Sequence, residues 1–241
     1  MMYYDYVGNS AAFLADVRRR QSALLYQYSV AEVVQVADEP IDLETARAHC
    51  RVDTYGSPPV SDDDAWLLDV GIPAAREYCE AENGRSYATR TLELISNAFP
   101  SVQVYAPSGP GFYLPLGPVQ SVESVTYKDT DGVMQTVPVD DYQLDSTGPY
   151  TRLVLGHDVT GWPTARNSVG SVRVRYVTGH TAPGESPAGV PIPARVRAAI
   201  LLMLCHLYDQ RSASDTASLA EIPIGVAALL AKCPREDLGM A

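Results

Sequence analysis

Residues 193–211 read PARVRAAILLMLCHLYDQR, and this stretch decides the fold that the sequence predicts. Proline suits the first turn of a helix, where an amide hydrogen would have no partner. One face of the predicted helix carries five apolar side chains, which are Val196, Ala199, Ile200, Met203 and Leu207. Four further apolar side chains point elsewhere, and these are Leu201, Leu202, Cys205 and Tyr208. A helix that is apolar nearly all round has to be covered on more than one side.

The cover for this helix can come from the same chain or from a neighbouring subunit. We expect four of its side chains to lie at a subunit interface, namely Val196, Leu201, Leu202 and Tyr208. The 15 tyrosines against 3 phenylalanines agree with an extensive interface, where tyrosine and arginine are enriched. Arginine also exceeds lysine in this chain. A GC-rich genome explains this excess as well as an extensive interface does.

A second group of helices precedes Gly84. Asp42 is placed to cap the first of them, and Ser61 and Asp64 have the spacing of a capping box for the next. Gly71 predicts a kink inside this longer helix, and Gly84 predicts its end. These helices are too few to bury their apolar faces alone, and so are the helices after Pro193. We therefore expect the two groups to pack together.

Between the two helical groups, the apolar period changes from 3.6 residues to 2. Residues 125–137 suggest a hairpin with an Asp/Gly turn, and in residues 171–179 valine and tyrosine alternate with arginine. This spacing predicts an antiparallel sandwich or barrel. The predicted strands cover residues 90–96, 101–106, 112–116, 119–129, 132–139, 142–145, 151–156 and 171–179.

The sequence thus predicts an α+β fold, a small helical bundle interrupted by an antiparallel β-sandwich or barrel-like insertion. Residues 1–37 are predicted as an N-terminal extension with a short helix after Ser10 and a possible strand at 30–36. The remaining predicted boundaries are 38–86 with 192–233 for the helical domain, 87–191 for the inserted β domain, and 234–241 for a C-terminal tail.

The charge balance excludes two classes of partner. Eighteen basic residues against 29 acidic ones give a formal net charge of −11, which argues against binding to a nucleic-acid backbone or an anionic membrane surface. The longest apolar run, from Ala198 to Cys205, is far short of the ~20 residues that span a bilayer. The first ten residues do not have the pattern of a signal peptide. We expect a soluble protein made in the cytosol, with its cysteines reduced.

Two mirrored pairs, His49-Cys50 and Cys205-His206, could form a tetrahedral zinc site if their helices meet. Neighbouring helix residues point about 100° apart, so both members of a pair rarely reach one ion. We expect core thiols and half-exposed imidazoles instead.

Two groups of acids offer weaker hints of a cation site. Asp62, Asp63 and Asp64 are better explained as a solvated helix start, and Asp129 with Asp131 as a hairpin turn, because the spacing of a calcium loop is missing. The chain has no nucleophile elbow and no glycine-rich phosphate loop. We expect no enzyme activity, no metal and no cofactor.

Several segments, in this order, resemble the head–tail connector (adaptor) proteins of tailed bacteriophages. The resemblance covers about residues 39–232. Its segments are EPIDLETARAHCRVD (39–53), DDDAWLLDVGIPAAREYCEAENGRSYATRTLEL (62–94), LPLGPVQSVESVTYKDTDGVMQTV (114–137), GWP (161–163), VRVRYVTGH (172–180) and VPIPARVRAAILLMLCHLYDQR (190–211).

The resemblance implies a structural protein of the virion without catalytic residues. Such proteins form a ring, typically of twelve copies, below the portal of the filled head. The ring extends the DNA channel and joins the head to the next neck component, a stopper or a tail-terminator protein. The implied portal-facing residues lie near the C-terminus and are Ile222, Pro223, Leu229, Leu230 and Arg235.

The negative charge is consistent with a channel wall that repels the passing duplex. We expect Asp62, Asp63 and Asp64 to face that channel, and DNA to pass without specific binding. The alternative function is a ligand- or peptide-binding module, in which the β insertion holds the ligand and the helices form a scaffold.

Overall fold

The chain folds into a helical bundle interrupted by two antiparallel sheets, which confirms the predicted α+β class. The computed structural model describes residues 28–36, 38–100, 111–148, 150–181, 190–210 and 224–233. The predicted strand at 101–106 and the predicted helix after Ser10 lie outside these residues.

The first helix, α1 (Leu43–Cys50), begins where the sequence predicts. The Asp42 carboxylate accepts a 2.7 Å hydrogen bond from the backbone N–H of Thr45, which satisfies one of the unpaired amides of the first turn. Arg51 follows the helix in the left-handed conformation, with φ of 54°. α1 is therefore a single short helix with both of its ends defined.

The longer predicted helix is divided into three parts, α2 (Asp64–Trp66), a π-helical turn (Leu67–Gly71) and α3 (Ile72–Asn83). The π turn occurs at the predicted kink. A Cβ atom on Gly71 would lie 2.7 Å from the Trp66 ring and 2.9 Å from Leu204 Cδ1, so only glycine fits there. Gly84 ends α3 with φ of 62°, as the sequence predicts.

Two helices follow the β insertion, α4 (Ala194–Asp209) and α5 (Ile224–Leu230). They pack against α1 and α3 around one core, to which Ile41, Leu67, Cys79, Ile200 and Leu204 contribute. The two helical groups thus bury each other's apolar faces, as predicted. Within the described part of the chain, no helix is both long enough and apolar enough to cross a membrane.

The β insertion consists of two facing sheets around a second core. The larger sheet has the strand order β1-β2-β8-β4-β5, the smaller one has the order β3-β7-β6, and all pairs are antiparallel. The strands are β1 (Tyr28–Val34), β2 (Arg90–Ser96), β3 (Gly111–Tyr113), β4 (Val119–Lys128), β5 (Met134–Thr136), β6 (Tyr142–Asp145), β7 (Arg152–Leu155) and β8 (Val172–Thr178).

Strand β1 extends the larger sheet from outside the predicted β region. It pairs with β2 in antiparallel register, with Tyr28 opposite Ser96 and Val30 opposite Leu94. Residues 28–34, predicted as part of a separate N-terminal extension, therefore belong to the β domain. This partnership joins strands about 60 residues apart in the sequence, and local periodicity does not show which strand an edge strand joins.

The junction between the two cores is organised by the carboxylate of Glu80, which is only 9% exposed. Its Oε1 accepts a 2.6 Å hydrogen bond from the backbone N–H of Tyr87, and its Oε2 accepts a 2.8 Å bond from Arg76 of α3. Arg90, the first residue of β2, donates a second bond to Oε2. One buried carboxylate therefore connects α3, the linker and the first internal strand.

The two chain segments that cross the junction are in close contact. Gly179 has φ of 104°, and a Cβ atom there would lie 1.9 Å from the carbonyl oxygen of Ala88. The Tyr87 and His180 rings stack with centroids 5.9 Å apart. Entry to and exit from the β domain are thus packed side by side.

We expect Glu80→Gln to lower the free energy of unfolding by about 3 kcal/mol, because it leaves Arg90 without its buried counter-charge and leaves Arg76 with its pair to Glu39 but not with the buried one. Glu77→Gln is the matched control. Glu77 also approaches Arg76, at 3.5 Å, but its side chain is 68% exposed, and such pairs contribute less than about 1 kcal/mol.

Urea unfolding followed by tryptophan fluorescence measures both variants, since Trp66 packs on the helical core and Trp162 on the β core. Equal losses for the two variants would contradict the assigned role of Glu80.

Candidate interaction surface

Helix α4 is mostly covered by its own chain. Val196 is 1% exposed, and Ala199, Ile200 and Leu204 are fully buried between α1, α3 and α5. Val196 was predicted at a subunit interface. It is enclosed in the subunit's own core instead, and so it offers no surface to a second copy.

Three leucines of α4, Leu201, Leu202 and Leu207, remain at least partly accessible. Leu201 is half-buried and lines a shallow groove between α1 and α4, whose other walls include Asp42, Thr45 and His49. Leu202 is 38% exposed on the side of α5, where a methyl group on Gly225 would lie 3.7 Å from Leu202 Cδ1. The chain therefore leaves some of the apolar surface of α4 uncovered, as the sequence predicts, but this surface is confined to these positions.

A second apolar surface lies on the π turn. Leu67 and Gly71 are buried, whereas Leu68 and Val70 are each 49% exposed. Sequence reasoning did not assign either of these two residues to an interface. The signal was present, because Leu67 and Leu68 are adjacent and both cannot face the core of one helix.

Each of the three acids at residues 62–64 is bound to a group elsewhere in the helical domain. Arg47 of α1 forms a two-point ion pair with Asp64, with Nε donating to Oδ1 at 2.6 Å. Asp62 accepts a 2.6 Å bond from the hydroxyl of Tyr55, and Asp63 accepts a 2.5 Å bond from that of Tyr208. Of the three, only Asp62 is exposed. The cluster thus attaches the start of α2 to α1 and α4.

The predicted capping box at the start of α2 is formed only in part, because the helix itself begins after Asp63. The Asp64 carboxylate accepts a 2.8 Å hydrogen bond from the backbone N–H of Ser61, and the Ser61 hydroxyl accepts one of 3.3 Å from the N–H of Asp63. The Arg47 guanidinium, and to a lesser extent the bond from Ser61, hold the pKa of Asp64 below its usual value. The carboxylate is therefore favoured in its charged form.

Tyr208, predicted at a subunit interface, is held by its own chain at the end of α4. It is half-buried, its hydroxyl is bound to Asp63, and its ring meets that of Trp66 edge to face at 5.9 Å. Only part of its ring is available to a neighbour.

The structure describes two of the five predicted portal-facing residues, Leu229 and Leu230. Ile222, Pro223 and Arg235 lie outside the described residues. Leu229 is half-buried, whereas Leu230 is 2% exposed and belongs to the helical core. Leu230 therefore stabilises the subunit and cannot face a portal, because the last turn of α5 packs it inwards.

The structure brings the thiols of the mirrored His-Cys pairs together, with Cys50 Sγ 2.8 Å from Cys205 Sγ. No group of three or more potential metal ligands occurs among the residues that can be described. At the other suspected cation site, the Asp129 carboxylate accepts bonds from the N–H groups of Asp131 and Val133, which is the arrangement of a hairpin turn.

The outer face of the larger sheet carries two arginines around one carboxylate. Arg173 and Arg175 donate to the two oxygens of Glu93 at 3.0 and 3.3 Å, and both arginine side chains are 43% exposed. These exposed pairs lie on a solvated face, which is the arrangement that the alternation of residues 171–179 favours.

The end of the β sandwich has a small open hollow. The Phe99 and Trp162 rings stack there with centroids 5.0 Å apart. All seven residues of its lining are apolar or glycine, and these are Ala98, Phe99, Pro100, Gly161, Trp162, Pro163 and Ala165. Ligand sites usually combine apolar walls with a few convergent polar groups, and among the described residues this lining includes no charged side chain.

The chain matches no protein-family model and no curated protein. Among solved structures, it shares its fold with a chain from the "Neck of empty GTA particle computed with C6 symmetry", at a TM-score of 0.64 and 23% identity. A chain from the "Virion of native gene transfer agent (GTA) particle" gives 0.61 and 21%, and one from the "Neck of native GTA particle computed with C12 symmetry" gives 0.59 and 21%. Each match covers 84% of this chain and 93% of the other.

We expect Asp64→Asn to lower the urea midpoint at neutral pH, because it removes the negative charge that pairs with Arg47. A carboxyl whose pKa is lowered in the folded state stabilises the fold above its unfolded pKa, and this contribution is lost as the pH falls. The difference between the wild type and Asp64→Asn should therefore shrink as the pH falls below ~4.

Urea midpoints measured across the acidic range test this expectation, with Asp53→Asn as a control at an exposed aspartate between α1 and α2. A difference for Asp64→Asn that stays constant down to the acid limit would contradict it.

Proposed function

We propose that this chain is a structural protein of the neck of a phage-like particle, a head–tail connector (adaptor). The observation that carries the proposal is the shared fold, which extends over 93% of chains taken from gene transfer agent necks and virions. The order of segments that resembles bacteriophage connectors is independent support from the sequence. The proposed location is the virion, after synthesis in the host cytoplasm.

The connector would act as a ring of identical subunits, with twelve as the proposed number. Two of the structural neighbours come from necks treated with C6 and C12 symmetry. A closed ring built head to tail needs two different complementary patches on each subunit. We assign one patch to Leu201 and Leu202 of α4 and the other to Leu68 and Val70 of the π turn. Tyr208 would contribute the exposed part of its half-buried ring.

This assignment rests on exposure. Leu68, Val70 and Leu202 are 38–49% exposed, although their neighbours on the same elements are buried. Burial of such side chains between subunits removes apolar surface from water at about 25 cal/mol per Å². The two patches lie on different elements of the helical domain, so one subunit can present the first while its neighbour presents the second.

The ring would contact the portal protein on one side and a stopper or tail-terminator protein on the other. We place the portal contact at the C-terminal segment, through Ile222, Pro223 and Arg235, with Leu229 of α5 at its edge. Leu230 is excluded from this contact because it is buried in the subunit.

DNA would pass through the ring without specific binding. The chain carries a formal net charge of −11, and a negative wall repels a duplex instead of retaining it through counterion release. Asp62 is the best placed of the three predicted channel residues, because it is exposed and its partner Tyr55 is neutral. Asp64 contributes less, because Arg47 compensates its charge.

In this proposal the protein has no catalytic role, and it requires no cofactor or metal. The alternative is a peptide- or ligand-binding module, for which the stacked Phe99–Trp162 surface is the available site. Its apolar lining favours weak contact over selective binding. An increase in thermal stability with a defined peptide, and no association with particles, would favour this alternative.

We expect Leu202→Glu to weaken ring formation by more than about tenfold, because a charge at a desolvated contact costs more than 1.4 kcal/mol. Mass photometry and electron microscopy of the full chain, alone and with portal-containing heads, measure assembly. Val169→Glu is the matched control, since Val169 is 87% exposed on the β domain. Both variants should unfold at the wild-type urea concentration.

A subunit that stays monomeric at every concentration and does not bind portal-containing heads would overturn the proposal. A ring that forms equally well with Leu202→Glu would leave the connector function in place but refute the assigned patch.

A further inference from the structure

Two cysteines on different helices have their sulfur atoms in contact. Cys50, the last residue of α1, and Cys205, in the fourth turn of α4, lie with their Sγ atoms 2.8 Å apart. A disulfide bond is about 2.05 Å long, so the two sulfur atoms need to approach by less than an ångström to bond. The two residues are 155 positions apart in the chain, and only the packing of α1 on α4 brings them together.

We propose that Cys50 and Cys205 form a latent disulfide, which closes when the protein meets a small-molecule disulfide such as oxidised glutathione. One thiol loses its proton and attacks a sulfur of the oxidant, which releases one glutathione thiolate and forms a mixed disulfide. The second thiol loses its proton and attacks the protein sulfur of that mixed disulfide, which releases the second glutathione. Two protein thiols are oxidised to one disulfide, and one oxidised glutathione is reduced to two thiols.

Exposure distinguishes this pair from the other two cysteines. Cys50 and Cys205 are both half-buried, so an oxidant can reach them from the surface. Cys79 is fully buried, and Cys233 is 8% exposed in the helical core. A reagent in solution therefore reaches the first pair while the fold is intact.

The local environment slows oxidation of the pair. Burial, together with the neighbouring thiol and the negative charge of Asp209, raises the pKa of Cys50 to about 12, and burial with Asp209 also raises that of Cys205. The thiolate is the attacking species, so oxidation at neutral pH is slow. The pair is thus suited to remain reduced in a reducing cytoplasm and to close in an oxidising medium.

A closed disulfide would fix α1 to α4. α1 has only eight residues, and a helix of this length depends on tertiary contacts for its stability. It also supplies Arg47, the partner of Asp64. A cross-link across so long a loop lowers the conformational entropy of the unfolded chain, and so it should raise the resistance to urea.

The test is oxidation of the full-length, fully reduced protein with excess oxidised glutathione in mildly alkaline buffer. The remaining thiols are then alkylated. We expect an intact mass with two alkyl groups fewer than the alkylated reduced protein carries, and with the loss of two hydrogen atoms from the two thiols that form the disulfide. Peptide mapping should then join Cys50 to Cys205. The oxidised protein should unfold at higher urea concentration than the reduced protein.

Cys50→Ser and Cys205→Ser should each abolish both the cross-link and the gain in urea resistance, while Cys233→Ser should retain both. Separate glutathione adducts on Cys50 and Cys205, or a cross-link that joins Cys79 to Cys233, would overturn the proposal. The experiment requires no particle or partner, so its result does not depend on the connector function.

Discussion

The fold depends on a buried carboxylate at the point where two hydrophobic cores meet. Glu80 lies on a helix of one domain, yet its donors include the linker and the first internal strand of the other. A buried carboxylate without donors would cost several kcal/mol, and here Arg76 supplies a donor from the helix while Tyr87 and Arg90 supply donors from the β side of the junction. The close passage of Gly179 over Ala88 adds a steric constraint at the same point. The orientation of the β domain on the helical bundle follows from these contacts.

The helical domain also illustrates how an insertion can leave a core intact. Residues before Gly84 and after Pro193 are over 100 positions apart in the chain, but they share one apolar core. This core buries most of the apolar surface of α4. What remains, at Leu201 and Leu202, lies towards α1 and α5. The surface available to another protein is therefore the remainder after intramolecular packing, and it is smaller than the composition of the helix alone indicates.

Local signals in the sequence predicted most of the elements, because caps, turns and periodicity act over a few residues. The cap at Asp42 and the stop at Gly84 are formed, and of the predicted capping box the bond from Ser61 to Asp64 is present. The errors arose where the outcome depends on partners distant in the sequence. Burial of Val196 and Leu230 is decided by which helices pack on them, and a helical period cannot distinguish an internal neighbour from an external one.

The same reasoning explains why charge patterns alone were a weak guide to the site. Three consecutive aspartates at a helix start suggest a solvated, negative surface. In the folded protein, Arg47 neutralises one of them, and tyrosine hydroxyls bind the other two. A formal charge of −11 therefore overstates the field near α2, and a repulsive channel wall would depend on exposed acids such as Asp62 more than on the length of the acidic run. Hydrogen bonding within the subunit has to be counted before charge is assigned to a function.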